Sequence, residues 1–370
     1  MNQLSIYDLN VKQVANLIYT VGKQRTVLIE GHMGSGKTSI LKALAKKLPD
    51  HIPVYFDCTN KDLIDLGVPK VVRHENGNEY VTFPTNEELG LHLDKPVILM
   101  FDEIGKKKSI INAIRRVLLE RSMGGKKLHP DSIVFATTNL GAENLGDLFP
   151  PHSRNAVTVC RMRKSTAQEW VDDFAIDAGV DPVVMAWVLE HPQVFQSFEE
   201  VEKPDADDTA GGNPYIYHPK AIGRTAFVTH RSAEAASDIS LLRDKLDRLT
   251  FQAALIGTVG QRAASDLESY IKLADDLPTL QDIKENPKSA KLPASAAAVC
   301  MVIVRTLSTL DRSWMNAWMD YFERLDTEAQ AMFALSARRK EYKHNEMVMT
   351  NAKYTTWCLN NQHLNAADKK

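Results

Sequence analysis

The sequence predicts an α/β first half built on a parallel sheet and an all-helical second half, on three observations. Four short runs, "TVLIE" (26–30), "PVYFDC" (53–58), "PVILMFDE" (96–103) and "SIVFATTN" (132–139), are nearly unbroken in apolar and β-branched residues. Such runs mark strands covered on both faces, which is how parallel sheets are built. Helical stretches separate them, and beyond residue 160 the apolar pattern is helical almost throughout.

Taken in order, the first strand runs into "GHMGSGKT" (31–38), and "KTSILKALAKKL" follows as a helix with Ile40, Leu41, Leu44 and Leu48 on one side. A glycine-rich G-x-x-x-x-G-K-[ST] run between a strand and a helix has the context of a phosphate-binding loop. Its glycines let backbone N–H groups turn inward around phosphate oxygens, and the helix N-terminus adds partial positive charge. The candidate cradle is Gly31, His32, Met33, Gly34, Ser35, Gly36, Lys37, Thr38 and Ser39. Lys37 is placed to reach the β- and γ-phosphates of ATP, and the Thr38 hydroxyl to ligate Mg²⁺.

The piece "VVRHENGNEYVTF" (71–83) interrupts the next βα unit, and Asn76-Gly77 within it predicts a hairpin with a type I′ turn. The strand "VILMFDE" then ends in two carboxylates. Asp102 is placed for the Mg²⁺ shell and Glu103 for polarising the attacking water. An acidic pair of this kind favours hydrolysis over transfer to a substrate hydroxyl. After the helix "SIINAIRRVLLERS", the last strand ends in Asn139, placed to orient the same water.

In the second half, Thr166 and Glu169 form a capping box for a helix that stops at Gly179, and Asp181-Pro182 opens another. The acidic stretch 197–214 reads as a surface loop or linker. "PASAAAVCMVIV" (293–304) is too short to span a bilayer easily and reads as a buried helix. Trp314, Trp318 and Trp357 read as core residues.

These motifs resemble those of the AAA+ ATPases, and specifically the MoxR-like branch. The resemblance spans roughly residues 10–260 and rests on "GHMGSGKT", "VILMFDEI", "ATTN" and "AFVTHRS". It implies an αβα nucleotide domain over 1–160, with the hairpin at 71–83 as the branch's insertion and 121–132 as its pre-sensor hairpin. A helical lid over 161–264 and a helical extension over 265–370 complete the expected organisation. By the same resemblance Lys37 and Thr38 are Walker A residues, Asp102 and Glu103 the Walker B pair, and Asn139 sensor 1. Arg231 is similar to sensor 2, although His230 stands where the family usually has Pro. The family's arginine finger falls in a P-x-x-x-x-x-R-[FV] stretch. Here "PPHSRNAV" (150–157) has Ala156 at that position and Arg154 two residues earlier. Either Arg154 has taken over the role or the finger is absent; such a residue contributes ~10³–10⁵ in rate.

The family implies a homo-oligomeric ring, usually of six subunits, acting on a protein partner that often carries a von Willebrand factor A domain. A nucleic-acid motor or loader in replication or virus assembly is a second reading, and a weakly hydrolysing nucleotide switch or scaffold a third. Net charge weighs against the second: 45 basic and 47 acidic residues give −2, which argues against a generic electrostatic DNA binder and leaves room for a local basic groove. "KKK" (106–108) and "RMRK" (161–164) read as solvated faces. At 370 residues with 44% apolar and 25% charged residues, the chain has the make-up of a soluble protein of two or three domains. The four cysteines form no CxxC pair and the eleven histidines no metal spacing. The N-terminus lacks a signal-peptide pattern, so the expected location is cytoplasmic.

Overall fold

The computed structural model describes residues 8–84, 86–139, 154–201, 212–220, 226–275 and 277–361. The chain divides into two compact units, Met1–Ser165 and Thr166–Lys370.

The first unit is a six-stranded parallel sheet with helices on both faces. Its strands are β1 (Asp8–Leu9), β2 (Val27–Gly31), β3 (Ile52–Asp57), β6 (Val97–Asp102), β9 (Ile133–Thr138) and β10 (Thr158–Met162). Their order is β1-β10-β2-β9-β6-β3, with parallel pairing throughout. Alternation along each strand sends side chains to two cores. Leu99 and Phe101 pack on one face with Ile110, Ile111, Ile114, Val117 and Leu118 of α4 (Lys108–Glu120). Ile98 and Met100 pack on the other with Val14 and Ile18 of α1 (Val11–Val21) and Ile40, Leu41 and Leu44 of α2 (Ser39–Lys47). Double burial of β2, β6 and β9 is why they read as continuous apolar runs. The edge strand β1 and its neighbour β10 carry no such run and are not predicted by it.

The insertion forms a separate hairpin, β4 (Lys70–Arg73) and β5 (Glu79–Thr82). Its turn differs from the predicted type I′. Gly77 has φ 87°, but Asn76 is not among the described residues with positive φ. Five residues link the strands; His74 O accepts from Gly77 N at 2.9 Å, and His74 N donates to Asn78 O at 2.8 Å. The longer loop leaves only the glycine in the left-handed region. The predicted geometry occurs instead between β7 (Ser122–Met123) and β8 (Lys126–Lys127), where Gly124 and Gly125 both have positive φ.

Arg121 ends α4 with φ 58° and ties it to the sheet. Its guanidinium donates to Thr26 Oγ1 at 2.5 Å, Leu118 O at 2.6 Å and Gly22 O at 3.0 Å. Burial pushes its pKa down to about 10, still far above neutrality, so it stays charged.

The second unit is helical around one large core. The Thr166/Glu169 capping box, the left-handed stop at Gly179 and the Asp181 cap on helix Pro182–Glu190 are all present. Between them a π-helical segment, Val171–Ala175, interrupts the α-helix. The apolar run at 293–304 lies largely in the buried helix Ala296–Thr309, and Trp314, Trp318 and Trp357 are core residues. Among the described residues no helix is long and apolar enough to cross a membrane. The expected boundary at 264/265 falls inside helix Gln261–Asp275, and the core draws on residues from both sides of it. Most of the acidic linker, 202–211, lies outside the described residues.

Replacing Arg121 by Ala removes three charge-assisted hydrogen bonds that close the end of α4. Urea unfolding is expected to show a loss of about 2 kcal/mol; unchanged stability would mean that the guanidinium contributes nothing net.

Candidate active site

The glycine loop joins the C-terminal end of β2 to α2, at the carboxyl edge of the sheet where α/β proteins place ligands. Gly34 and Gly36 have φ 66° and 85°, which L side chains rarely adopt. At Gly31 space itself is limiting: a Cβ would lie 3.0 Å from Met162 O and 3.6 Å from Lys37 Cδ. Within the loop Ser35 Oγ donates to His32 O at 2.7 Å, and Ser39 Oγ to Gly36 O at 2.6 Å. His32 and Ser35 are buried; Met33 is half-buried. Thr38 begins α2 without a side-chain capping bond, which leaves its hydroxyl suited to a metal ion.

Lys37 is 7% exposed, and an ammonium buried that far requires partners. It donates to Gly31 O, His32 O and Asn139 Oδ1, each at 2.7 Å. Asn139 follows β9, and its amide reaches the other way: Nδ2 donates to Glu103 Oε1 at 3.3 Å. Three residues predicted separately as lysine, sensor and base are thus joined by one side-chain amide. The sheet order explains this, since β9 lies between the loop strand β2 and the carboxylate strand β6.

Two residues absent from the sequence reading hold the acidic pair. Thr137 Oγ1 donates to Asp102 Oδ1 and accepts from Glu103 N at 3.2 Å. Tyr55 of β3 donates to Asp102 Oδ2 at 2.8 Å. Burial and the Asp102 carboxylate push the Tyr55 phenol well above its ordinary value, so it remains a donor at neutral pH. Glu103 itself has φ 50°, a conformation costly for a residue with a Cβ and often found at functional sites. The signal in the sequence was the first Thr of "ATTN" and the alternation that brings Tyr55 beside β6.

Arg154 Nη2 pairs with Glu30 Oε1 of β2 at 2.5 Å. Ala156 follows it in a half-buried position, and the start of that stretch, 150–153, is outside the described residues. Arg231 belongs to the second unit, exposed in the first turn of helix His230–Leu241. His230 is the first residue of that helix, where Pro is favoured, and it packs 4.1 Å from the Phe195 ring. "KKK" is more than a solvated face: Lys106 pairs with Glu103 Oε2, and Lys107 Nζ donates to Lys61 O at 2.9 Å and Asp62 Oδ1 at 3.1 Å.

Other chemistries find little support. No cluster of three or more His, Cys, Asp or Glu suited to a metal occurs among the described residues. Mg²⁺ bound with a nucleotide needs only one or two protein ligands, so Asp102 and Thr38 remain fitting donors. Burial pushes the Cys160 and Cys300 thiols up to about 12, which removes them as thiolate nucleophiles.

No protein-family model matches the chain, and no curated protein does. Among solved structures it is similar to NtrX from Brucella abortus in complex with ADP, at 15% identity over 90% of this chain and 67% of that one. The TM-score is 0.36. So distant a likeness carries no argument, and the site rests on its own geometry.

Thr137→Val keeps the buried shape but deletes the hydroxyl shared by Asp102 and Glu103. It is expected to cost about 1–2 kcal/mol in chemical denaturation, the usual range for an orphaned polar group. A variant as stable as the parent would show that Thr137 does not hold the acidic pair.

Proposed function

We propose that the chain is an ATP-hydrolysing P-loop protein of AAA+ type, in the MoxR-like branch, that works as a homo-oligomeric ring remodelling a protein partner. The observation that carries the ATPase part is the Lys37–Asn139–Glu103 bridge. It gathers, at one strand edge, a cation for phosphate, a carboxylate for water and an amide between them.

In that reading Lys37 exchanges its carbonyl partners for β- and γ-phosphate oxygens. The backbone of the loop, shaped by Gly34 and Gly36, lines the same phosphates. Thr38 and Asp102 would hold Mg²⁺, which would supply charge neutralisation for the phosphates. Glu103 takes the proton of the attacking water, and Asn139 holds that water in line. Tyr55 and Thr137 keep Asp102 oriented from both oxygens. Ring assembly and a protein partner come from the motif resemblance alone.

A second reading, a slowly hydrolysing nucleotide switch, is favoured by a specific observation. The position expected for the finger holds Ala156, and the nearby Arg154 is engaged by Glu30 of its own chain. A finger acts across a subunit boundary, so an arginine spent within its own subunit is poorly placed for that role.

Lys37→Ala is expected to abolish binding of Mg·ATP, measured by titration calorimetry. Glu103→Gln should keep binding and lower single-turnover hydrolysis by about 10²-fold or more, because the amide cannot accept the proton. Hydrolysis at an unaltered rate would remove Glu103 from the mechanism.

The two readings part on the finger. Ala156→Arg should raise ATPase turnover by an order of magnitude or more if the residue was removed from an otherwise intact site. No gain, together with a large loss in Arg154→Ala, would return the role to Arg154.

A further inference from the structure

Lys106 stands in the turn between β6 and α4, three residues after Glu103, and its ammonium pairs with Glu103 Oε2. The other oxygen, Oε1, accepts from Asn139 Nδ2 at 3.3 Å, a long bond. The two oxygens of this carboxylate are therefore held from different sides, Oε1 by the amide and Oε2 by the ion pair. The charge of Lys106 also reaches Asp57 at the end of β3. Lys107 is spent on Lys61 and Asp62, and Lys108 is exposed at the start of α4. Of the three consecutive lysines, only Lys106 is paired with the acidic end of β6.

Stability does not account for the pair. Lys106 and Glu103 are 37% and 29% exposed, and a pair that wet contributes ~0–1 kcal/mol. Its consequence is geometric. The backbone at Glu103 is fixed in the left-handed region by Thr137, but the side chain beyond it has free torsions. Asn139 contacts one oxygen and Lys106 the other, so the carboxylate is restrained at both ends.

We propose that Lys106 is a positioning residue for the hydrolysis reaction, fixing Oε2 so that Glu103 presents one carboxylate orientation to the attacking water; this rests on the ATPase reading above. Misplacing a catalytic group by about 1 Å can cost ~10²-fold in rate. Lys106 acts through Glu103 and leaves the phosphate cradle alone, so its removal affects turnover and spares binding.

The test uses the full chain and three measurements: affinity for Mg·ATP, single-turnover hydrolysis, and acetylation of Lys106 by acetic anhydride without nucleotide, read by mass spectrometry. Lys106→Met should bind Mg·ATP within about twofold of the parent and hydrolyse it roughly tenfold more slowly, a loss confined to the chemical step. Lys106→Arg should recover most of the rate, because a guanidinium still pairs with the carboxylate. Glu103→Gln should make Lys106 acetylate several-fold faster by releasing the ammonium.

Hydrolysis by Lys106→Met at the parent rate or faster overturns the proposal, as does Lys106→Arg performing no better than Lys106→Met. Unchanged acetylation in Glu103→Gln removes the ion pair itself. A parent protein that binds no Mg·ATP defeats the ATPase reading, and the positioning role with it. Binding and hydrolysis indifferent to Lys106 defeat the positioning role alone.

Discussion

The side chain of Asn139 is held between an ammonium and a carboxylate, and the arrangement of the first unit is organised around that span. Neighbouring strands lie about 4.8 Å apart, so the ends of β2 and β6, two strands removed, are separated by roughly twice that. Neither Lys37 nor Glu103 needs to cross the gap, because β9 fills it and ends in a residue with an acceptor on one side and a donor on the other. An Asp in this place would satisfy Lys37 and repel Glu103. A Ser would be too short to touch both. The amide is the neutral group that serves two opposite charges at once.

The constraint reaches back into the sheet. Thr137, one residue before the end of β9, orients Asp102 and holds the Glu103 amide, and its carbonyl accepts from Ile104 N at 2.9 Å. Positive φ at a glutamate costs of order 1–3 kcal/mol, and the surrounding hydrogen bonds keep it there. Rigidity in β9, which is buried on both faces, is thereby transmitted to the acidic pair. The site is precise because it stands on strand ends, with loop residues supplying only the cradle.

Much of this was legible in the sequence, and the physical reasons are particular. Continuous apolar runs identified β2, β6 and β9 because double burial leaves little freedom in composition, and the edge strand β3, exposed on one face, showed through its β-branched and aromatic residues. The loop, the acidic pair and Asn139 were legible because each needs a specific residue type at a strand end. What escaped depended on neighbours distant in the chain. β10 is half-polar and short, yet it pairs with β2 along its whole length. Tyr55 and Asp102 are brought together only by the β3–β6 register, in which Asp57 lies opposite Asp102. Lys106 looked like one of three solvated lysines because a charge run carries no record of which member points inward. The turn at 74–78 failed for a different reason: Asn-Gly favours a type I′ turn, but strand ends set by pairing determined the loop length.

Charge bookkeeping around the site bears on how a nucleotide would enter. Lys37 is balanced by two carbonyls and Asn139, Lys106 by Glu103, and Arg154 by Glu30. A triphosphate at Lys37 would gain affinity by exchange, replacing the two carbonyls and the Asn139 amide with anionic oxygens. That exchange is favourable, since the ammonium trades neutral acceptors for anionic oxygens and gains their Coulomb attraction. It also frees Asn139 Oδ1 to accept from a water while Nδ2 keeps its hold on Glu103. In the proposed reading, phosphate binding and water placement are coupled through a single amide, and occupancy of the cradle would reach the Glu103 carboxylate through it.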